Sequence, residues 1–345
     1  MCGNDDADCG CGGLLQSSDV RTAIISGETF KNKTVQYAVV DDLAVFEGCI
    51  ILGTVAEVEA RTAEAKAALD AGDDPEGVSH GVVVTGANKR WPNALMPYEI
   101  DPSLPEVNKN RIADAMDHWR EKTGVNFVMR TSANASQYAN YVRFRPADGC
   151  WSHVGMQGGK QDIGLATGCG FGATVHEIGH AFGLWHEQSR EDRDGKVRIN
   201  WQNIQSGKEH NFNQHIADGD DVGVYDYGSI MHYGSHAFSK NGQPTIESIP
   251  PGKTLGQRTS LSAGDIAAIA SIYQTWDTVD IARVYCSHGT KNCWIMPQGT
   301  GWLRIDPDNA DGVSNIFDQA CFALAFGKQM SLYKDGSKVY RGQLL

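Results

Sequence analysis

TVHEIGHAFGLWHEQSREDRD, Thr174 to Asp194, carries most of what this chain discloses. His176 and His180 are four residues apart, so on a helix they project from one face about a turn from each other. That spacing suits two nitrogen ligands on one ion. Glu177 lies on the adjacent flank, within reach of a water beside that ion without being a ligand itself. Gly183 can take the left-handed conformation that ends a helix and turns the chain back, which brings His186 round as a third imidazole. Three neutral histidines with an open fourth position suit catalytic zinc, whereas structural zinc sites are closed by four protein ligands, often cysteines. A bare His-Glu-x-x-His recurs by chance, but the extended form with its glycine and third histidine is far more specific. The other histidines, such as His118 and His210, read as surface or satisfied core residues.

The same stretch resembles the signature of the astacins, a branch of the metzincin zinc endopeptidases, down to Glu187 and the trailing Arg-x-Asp-Arg-Asp. SIMHYG (Ser229 to Gly234) looks like their Met-turn, and the similarity runs from about Trp91 to Tyr273, including GCWSHVGMQGGKQDIGLATGC before the histidines. The resemblance implies an α/β (α+β) metzincin-like catalytic domain. Its twisted sheet, zinc-binding helix and active-site helix would form two lobes around a cleft, across which a protein or peptide substrate lies extended. It implies one Zn2+ held by His176, His180 and His186, with Glu177 as general base and Met231 beneath the metal. Tyr233 would approach the zinc in the resting enzyme and swing to the reacting oxygen, while Glu187 would seat the new amino terminus made by maturation. A zinc ion can lower the pKa of its water to about 7, and Glu177 would take that proton and pass one to the leaving amine. The resemblance also pairs Cys150 with Cys169 in a disulfide, which points to an oxidising compartment. A second disulfide usual in animal members has no counterpart here, which places the chain nearer the bacterial branch. Arg190, Asp192, Arg193 and Asp194 are either a solvated cluster or, as in the family, braces for the segment after the third histidine.

Around this core, 345 residues allow about two ordinary domains, and 41% hydrophobic with 21% charged residues describes a folded chain. A net charge of -12 excludes a nucleic-acid surface, which needs a Lys/Arg excess. The acidity is concentrated, with fifteen Asp/Glu against five Lys/Arg in residues 1 to 80. No run approaches the roughly 18 apolar residues of a membrane span, and the first twenty lack a signal-peptide core. MCGNDDADCGCGG resembles a lipoprotein start with Cys2 as the attachment point for a lipid anchor, or else an acidic tail. With nine cysteines, at least one is free, a ligand, lipid-modified or paired elsewhere.

Composition predicts three parts: an acidic pro-segment over 1-85 with a flexible tail over 1-18, a protease domain over 86-275, and a small β-rich appendage over 276-345. VQYAVV (Val35 to Val40) predicts a strand and VAEVEARTAEAKAALD (Val55 to Asp70) a helix. Strands are expected at RWPNALMPYEID, VNFVMR and YVRFRP. Helices are expected at EVNKNRIADAMDHWREKTG, with Ile112, Met116 and Trp119 on one stripe, and at SAGDIAAIASIY behind a serine cap. AVFEGCIIL (Ala44 to Leu52) reads as one buried strand interrupted by a glycine.

That last run carries a departure from the family. Many astacins hold latency with a Phe-x-Gly-Asp motif whose aspartate goes to the zinc, and here the residues are FEGC. The exchange puts the Cys49 thiol where a ligand is wanted, as in the cysteine switch of matrix metalloproteases. The alternative is a buried small apolar residue. The resemblance then predicts the latent precursor of a secreted, cell-surface or periplasmic endopeptidase, monomeric and freed by an activating protease or self-cleavage between about Ser79 and Arg90. A catalytically inactive zinc-stabilised binding module is the other reading, and the presence of Glu177 and Tyr233 separates the two. Cys286 and Cys293 are close enough for a local disulfide, leaving Cys321 over.

Overall fold

The computed structural model describes residues 14–25, 33–70, 89–214, 221–273, 276–286, 292–305, 313–335 and 338–344. Contacts divide the chain into two units, Met1–Ile269 and Ala270–Leu345. The expected boundaries after 85 and after 275 both fall outside the described residues, as do Cys2 and residues 79–88 of the stretch from Ser79 to Arg90 expected to be cut.

The first unit begins with an antiparallel sheet of β1 (Val20–Ile25), β2 (Lys33–Val40), β3 (Leu43–Phe46) and β4 (Ile50–Thr54), in that order, followed by helix α1 (Val55–Asp70). Val35 and Tyr37 of β2 are buried while Gln36 is exposed, the alternation expected of a half-buried strand. Thr54 and Glu57 cap α1 reciprocally: the Glu57 N–H donates to Thr54 Oγ1 at 3.3 Å and the Thr54 N–H to Glu57 Oε2 at 2.9 Å. AVFEGCIIL departs from its expected form. It is two strands, β3 and β4, paired antiparallel through Phe46 and Ile50, with the chain reversing at Glu47–Gly48. Both turn residues are left-handed, at φ 44° and 70°, so Cys49 is presented from a tight turn and not from a strand face. Residues 14–18 are not the loose tail expected of them. The Leu15 N–H donates to Gly48 O at 2.7 Å, Leu14 packs over Gly48, and Lys208 Nζ donates to Ser17 O.

The rest of the unit holds a five-stranded mixed sheet in the order β6-β5-β7-β9-β8, made by β5 (Leu95–Ile100), β6 (Asn126–Met129), β7 (Tyr141–Pro146), β8 (Cys150–Trp151) and β9 (Lys160–Leu165). Helix α2 (Glu106–Lys122) buries the anticipated stripe of Ile112, Met116 and Trp119, and Trp119 Nε1 donates to Val175 O of helix α3 (Phe171–Ala181) at 3.1 Å. After α3 the chain is mostly irregular. A short pair, β10 (Val197–Ile199) with β11 (Ile246–Ser248), and single-turn helices enclose a core of Val197, Phe212, Tyr225, Tyr233 and Phe238. Helix α4 (Ala263–Tyr273) follows, capped reciprocally by Ser262 and Asp265. Among the described residues no helix is long and apolar enough to cross a membrane.

The second unit is a closed barrel of β12 (Trp276–Cys286), β13 (Cys293–Pro297), β14 (Leu303–Ile305), β15 (Gln329–Asp335) and β16 (Lys338–Leu344), in the order β12-β13-β14-β16-β15. Helix α5 (Val313–Phe326) is absent from the β-rich expectation for this part. Its Ile316, Ala320 and Ala323 pack with Ile295, Ile305, Met330 and Leu332 of the barrel. Cys286 and Cys293 stand opposite each other in register with their sulfurs 2.6 Å apart, which puts the anticipated local bond within reach.

Candidate metal centre

Helix α3 is buried along its whole length from Gly172 to Ala181. Two of its glycines are set by close approach: a Cβ on Gly172 would lie 1.8 Å from Arg258 O, and one on Gly179 would lie 2.9 Å from Met231 Sδ. Met231 therefore sits directly against the turn of helix between His176 and His180. The helix ends as its sequence predicts. Gly183 is left-handed at φ 106°, and the Leu184 N–H donates back to Gly179 O at 3.0 Å, so the chain reverses and returns with His186.

Four donors converge. Cys49 Sγ lies 3.8 Å from His176 Nε2, 3.5 Å from His180 Nε2 and 3.3 Å from His186 Nε2, and the His186 and His176 Nε2 atoms are 3.3 Å apart. All four side chains are fully buried. Nitrogens at about 2.0–2.1 Å and a sulfur at about 2.3 Å around one tetrahedral ion would lie about 3.3–3.6 Å from each other. Three of these four separations fall in that range and the fourth, Cys49 Sγ to His176 Nε2 at 3.8 Å, lies just beyond it, so the set fits one zinc ion. Among the described residues this is the one cluster of His, Cys, Asp and Glu with such convergence.

Each ring is fixed by its other nitrogen. His176 Nδ1–H donates to Ile230 O at 2.8 Å, His180 Nδ1–H to Leu184 O at 2.7 Å, and His186 Nδ1–H to the Glu47 carboxylate at 2.7 Å. Those bonds leave every Nε2 lone pair facing the common centre. Burial, with the Arg258 charge next for His176, pulls the His176 and His180 pKa values well below the usual imidazole value, so both rings are neutral as ligands must be.

The Cys49 turn is also tied to the sheet edge. The Ser152 N–H donates to Cys49 O at 2.9 Å and the Ile51 N–H to Ser152 O at 2.8 Å, a parallel bridge beside β8. Tyr233 lies against the third histidine. Its O–H donates to Glu47 O at 2.7 Å while its ring lies 4.7 Å from that of His186. Glu177 is fully buried on α3.

Glu187 lines a cavity of about 30 Å³ together with Arg190, Asp226, Ser229, Met231 and Asp265, room for about one water. The Asp226 N–H donates to its carboxylate at 2.7 Å, and burial raises its pKa to about 8. Arg190 and Arg193 settle the choice left by sequence. Both are buried and donate to backbone carbonyls, Arg190 to Val222 and Gly223 and Arg193 to Gln188 and Phe212, so they brace this segment. The Cys150–Cys169 disulfide is formed.

Sequence reasoning missed Glu47, Ser189, Arg258 and Asp265. Asp265 holds the turn below the histidines, accepting from Ser229 Oγ at 2.6 Å and from the Ile230 N–H at 2.9 Å. Its signal was the S-x-x-D cap before α4. Glu47 had only its place beside Cys49 to mark it, in a segment whose acidity reads as solvation.

A helix presenting two histidines and a glutamate, a third histidine after a glycine reversal and a methionine packed beneath define a metzincin-type zinc peptidase. The comparisons agree: residues 83–274 match the peptidase family described as Astacin, and the chain belongs to that family. Blastula protease 10 of Paracentrotus lividus is 41% identical over 246 residues, 69% of this chain and 40% of that protein. Protein SpAN of Strongylocentrotus purpuratus is 44% identical over 205 residues, 57% of this chain and 33% of that one. The solved high choriolytic enzyme 1 of Oryzias latipes, a hatching enzyme zinc-protease, superposes with a TM-score of 0.50 at 35% identity over 56% of this chain and 98% of its own. The chain thus spans 40% or less of the length of these two sea-urchin relatives.

Proposed function

We propose that this chain is the latent precursor of a zinc endopeptidase that hydrolyses peptide bonds in proteins, with Cys49 as the ligand that keeps it idle. The convergence of Cys49 Sγ with three imidazole Nε2 atoms carries this reading. Zinc, when bound, supplies Lewis acidity and makes water acidic near neutral pH. The chain's residues do the rest. His176, His180 and His186 hold the ion with their outer nitrogens committed to backbone or carboxylate acceptors. In the latent form the Cys49 thiolate would join the three imidazoles in holding the ion, and its buried turn excludes substrate and water. When the segment through residue 85 is removed, Glu177 receives a proton from water and returns one to the leaving amine. Tyr233 loses its Glu47 acceptor and becomes able to donate to the oxygen on which charge develops. Glu187, in its cavity, is placed to receive the new ammonium terminus. Arg258, whose charge falls on His176 and His180, suits an acidic residue next to the cut bond. The disulfide fits an oxidising compartment, so secretion or display at the cell surface is the proposed location.

The experiment is Cys49→Ala in the full precursor, assayed on casein with and without a chelator. Chelator-sensitive digestion or self-cleavage appearing in the variant supports the switch, and a variant as silent as the parent removes it. Digestion that no chelator abolishes would remove the zinc mechanism itself.

A further inference from the structure

Glu47 is a fully buried carboxylate, one residue from the left-handed Gly48 and two from Cys49. A carboxylate taken out of water is costly unless its oxygens are paired. Here both are. Oε2 accepts from His186 Nδ1–H at 2.7 Å, Oε1 accepts from Ser189 Oγ–H at 2.5 Å, and the Glu47 backbone carbonyl accepts from Tyr233 O–H at 2.7 Å. Ser189 is itself fully buried. His176 and His180 take their Nδ1 acceptors from the protease domain, Ile230 O and Leu184 O, but His186 takes its acceptor from the amino-terminal segment. The third histidine therefore depends on that segment for its orientation and tautomer.

We infer that Glu47 is a positioning residue for the metal, and that the amino-terminal segment retains zinc in the precursor as well as blocking it. Resting on the latency reading above, this assigns the segment two separate contributions: a direct sulfur from Cys49 and an outer carboxylate from Glu47. An acceptor on the far nitrogen fixes the ring and raises its basicity, and losing such a partner typically weakens metal binding by about 10–100-fold. The processed enzyme gives up both groups, so it holds zinc more loosely than its precursor. The chain acquires and keeps its ion while folding and releases the extra grip on maturation.

The test measures zinc affinity by competition with a chromophoric chelator on full-length chains in a Glu177→Gln background, which prevents self-cleavage. Glu47→Gln keeps the shape but turns an amide N–H₂ toward one of the two donors. The expected result is about 10–100-fold weaker zinc binding in a chain with unchanged circular dichroism. A folded Glu47→Gln chain within about twofold of its parent, well short of that range, overturns the inference. Should that variant not fold, Cys49→Ser precursor is compared with the domain processed by an added protease, since neither carries the thiolate. About tenfold tighter binding by the precursor supports Glu47, and equal affinity overturns it. These readings are independent of the switch. A Cys49→Ala precursor that stays silent removes the latency reading whatever the zinc affinity of Glu47→Gln, and a switch that works alongside an indifferent Glu47 removes only the present inference.

Discussion

Tyr233 donates its hydroxyl to the Glu47 carbonyl, so under the proposed latency a single excision would release this donor together with the sulfur. In the processed enzyme, Tyr233→Phe is expected to lower kcat by about 10²–10³ with KM little changed, because one donor aimed at developing charge is worth about 3–4 kcal/mol in the transition state only. Steady-state kinetics on a peptide substrate decides it, and an equal loss carried by KM would assign Tyr233 to binding. The same residues mark what sequence could and could not disclose. His176, Glu177 and His180 were legible because a fixed helical spacing allows one geometry, and His186 because the glycine at 183 lets the chain turn back to them. Glu47 and Arg258 were not, because their contacts run across 139 residues to His186 and 26 to His232 O, and no local pattern encodes such distances.

At the scale of elements, α3 works because two glycines let other chain segments touch its backbone. Gly172→Ala would drive a methyl into Arg258 O, a backbone atom, whereas Gly179→Ala meets the flexible end of Met231 at 2.9 Å and Trp119 at 3.4 Å. Overpacking of this kind costs about 1–3 kcal/mol, so Gly179→Ala is expected to lower Tm measurably and Gly172→Ala to lower it further or prevent folding. Thermal melts of the two variants rank them, and the reverse order would show that the Arg258 segment yields more easily than Met231. Element reading succeeded where one face was buried, as for α2 with Ile112, Met116 and Trp119. It failed at AVFEGCIIL, where unbroken burial hid the reversal at Glu47 and Gly48, and at α5, where β-like neighbours masked the spacing of Ile316, Ala320 and Ala323.

At the scale of the molecule, the acidic amino-terminal segment packs in the same unit as the metal centre, with Phe46, Cys49 and Ile50 in one core with Trp151 and Trp185. That placement follows from contacts far apart in sequence, and only the resemblance pointed to it. Buried ionisable groups make the unit's stability depend on pH with two signs. His232, held neutral between Tyr225 O–H and Tyr233 O, is pushed by burial to about 4, so its contribution is complete above about 6.5 and lost as pH falls through 4. Glu187, raised to about 8 by burial, contributes fully below about 4.5 and loses that contribution as pH rises through 8. Glu187→Gln is therefore expected to gain stability relative to the parent as pH climbs from about 4.5 to about 8. Denaturant melts of both chains across that range check the sign, and a gap that narrows with pH would refute it.

The most direct measurement is X-ray absorption at the zinc edge of intact precursor carrying one zinc per chain. One sulfur at about 2.3 Å with three nitrogens at about 2.0–2.1 Å is the predicted shell. A shell of nitrogen and oxygen alone would contradict Cys49 as the silencing ligand.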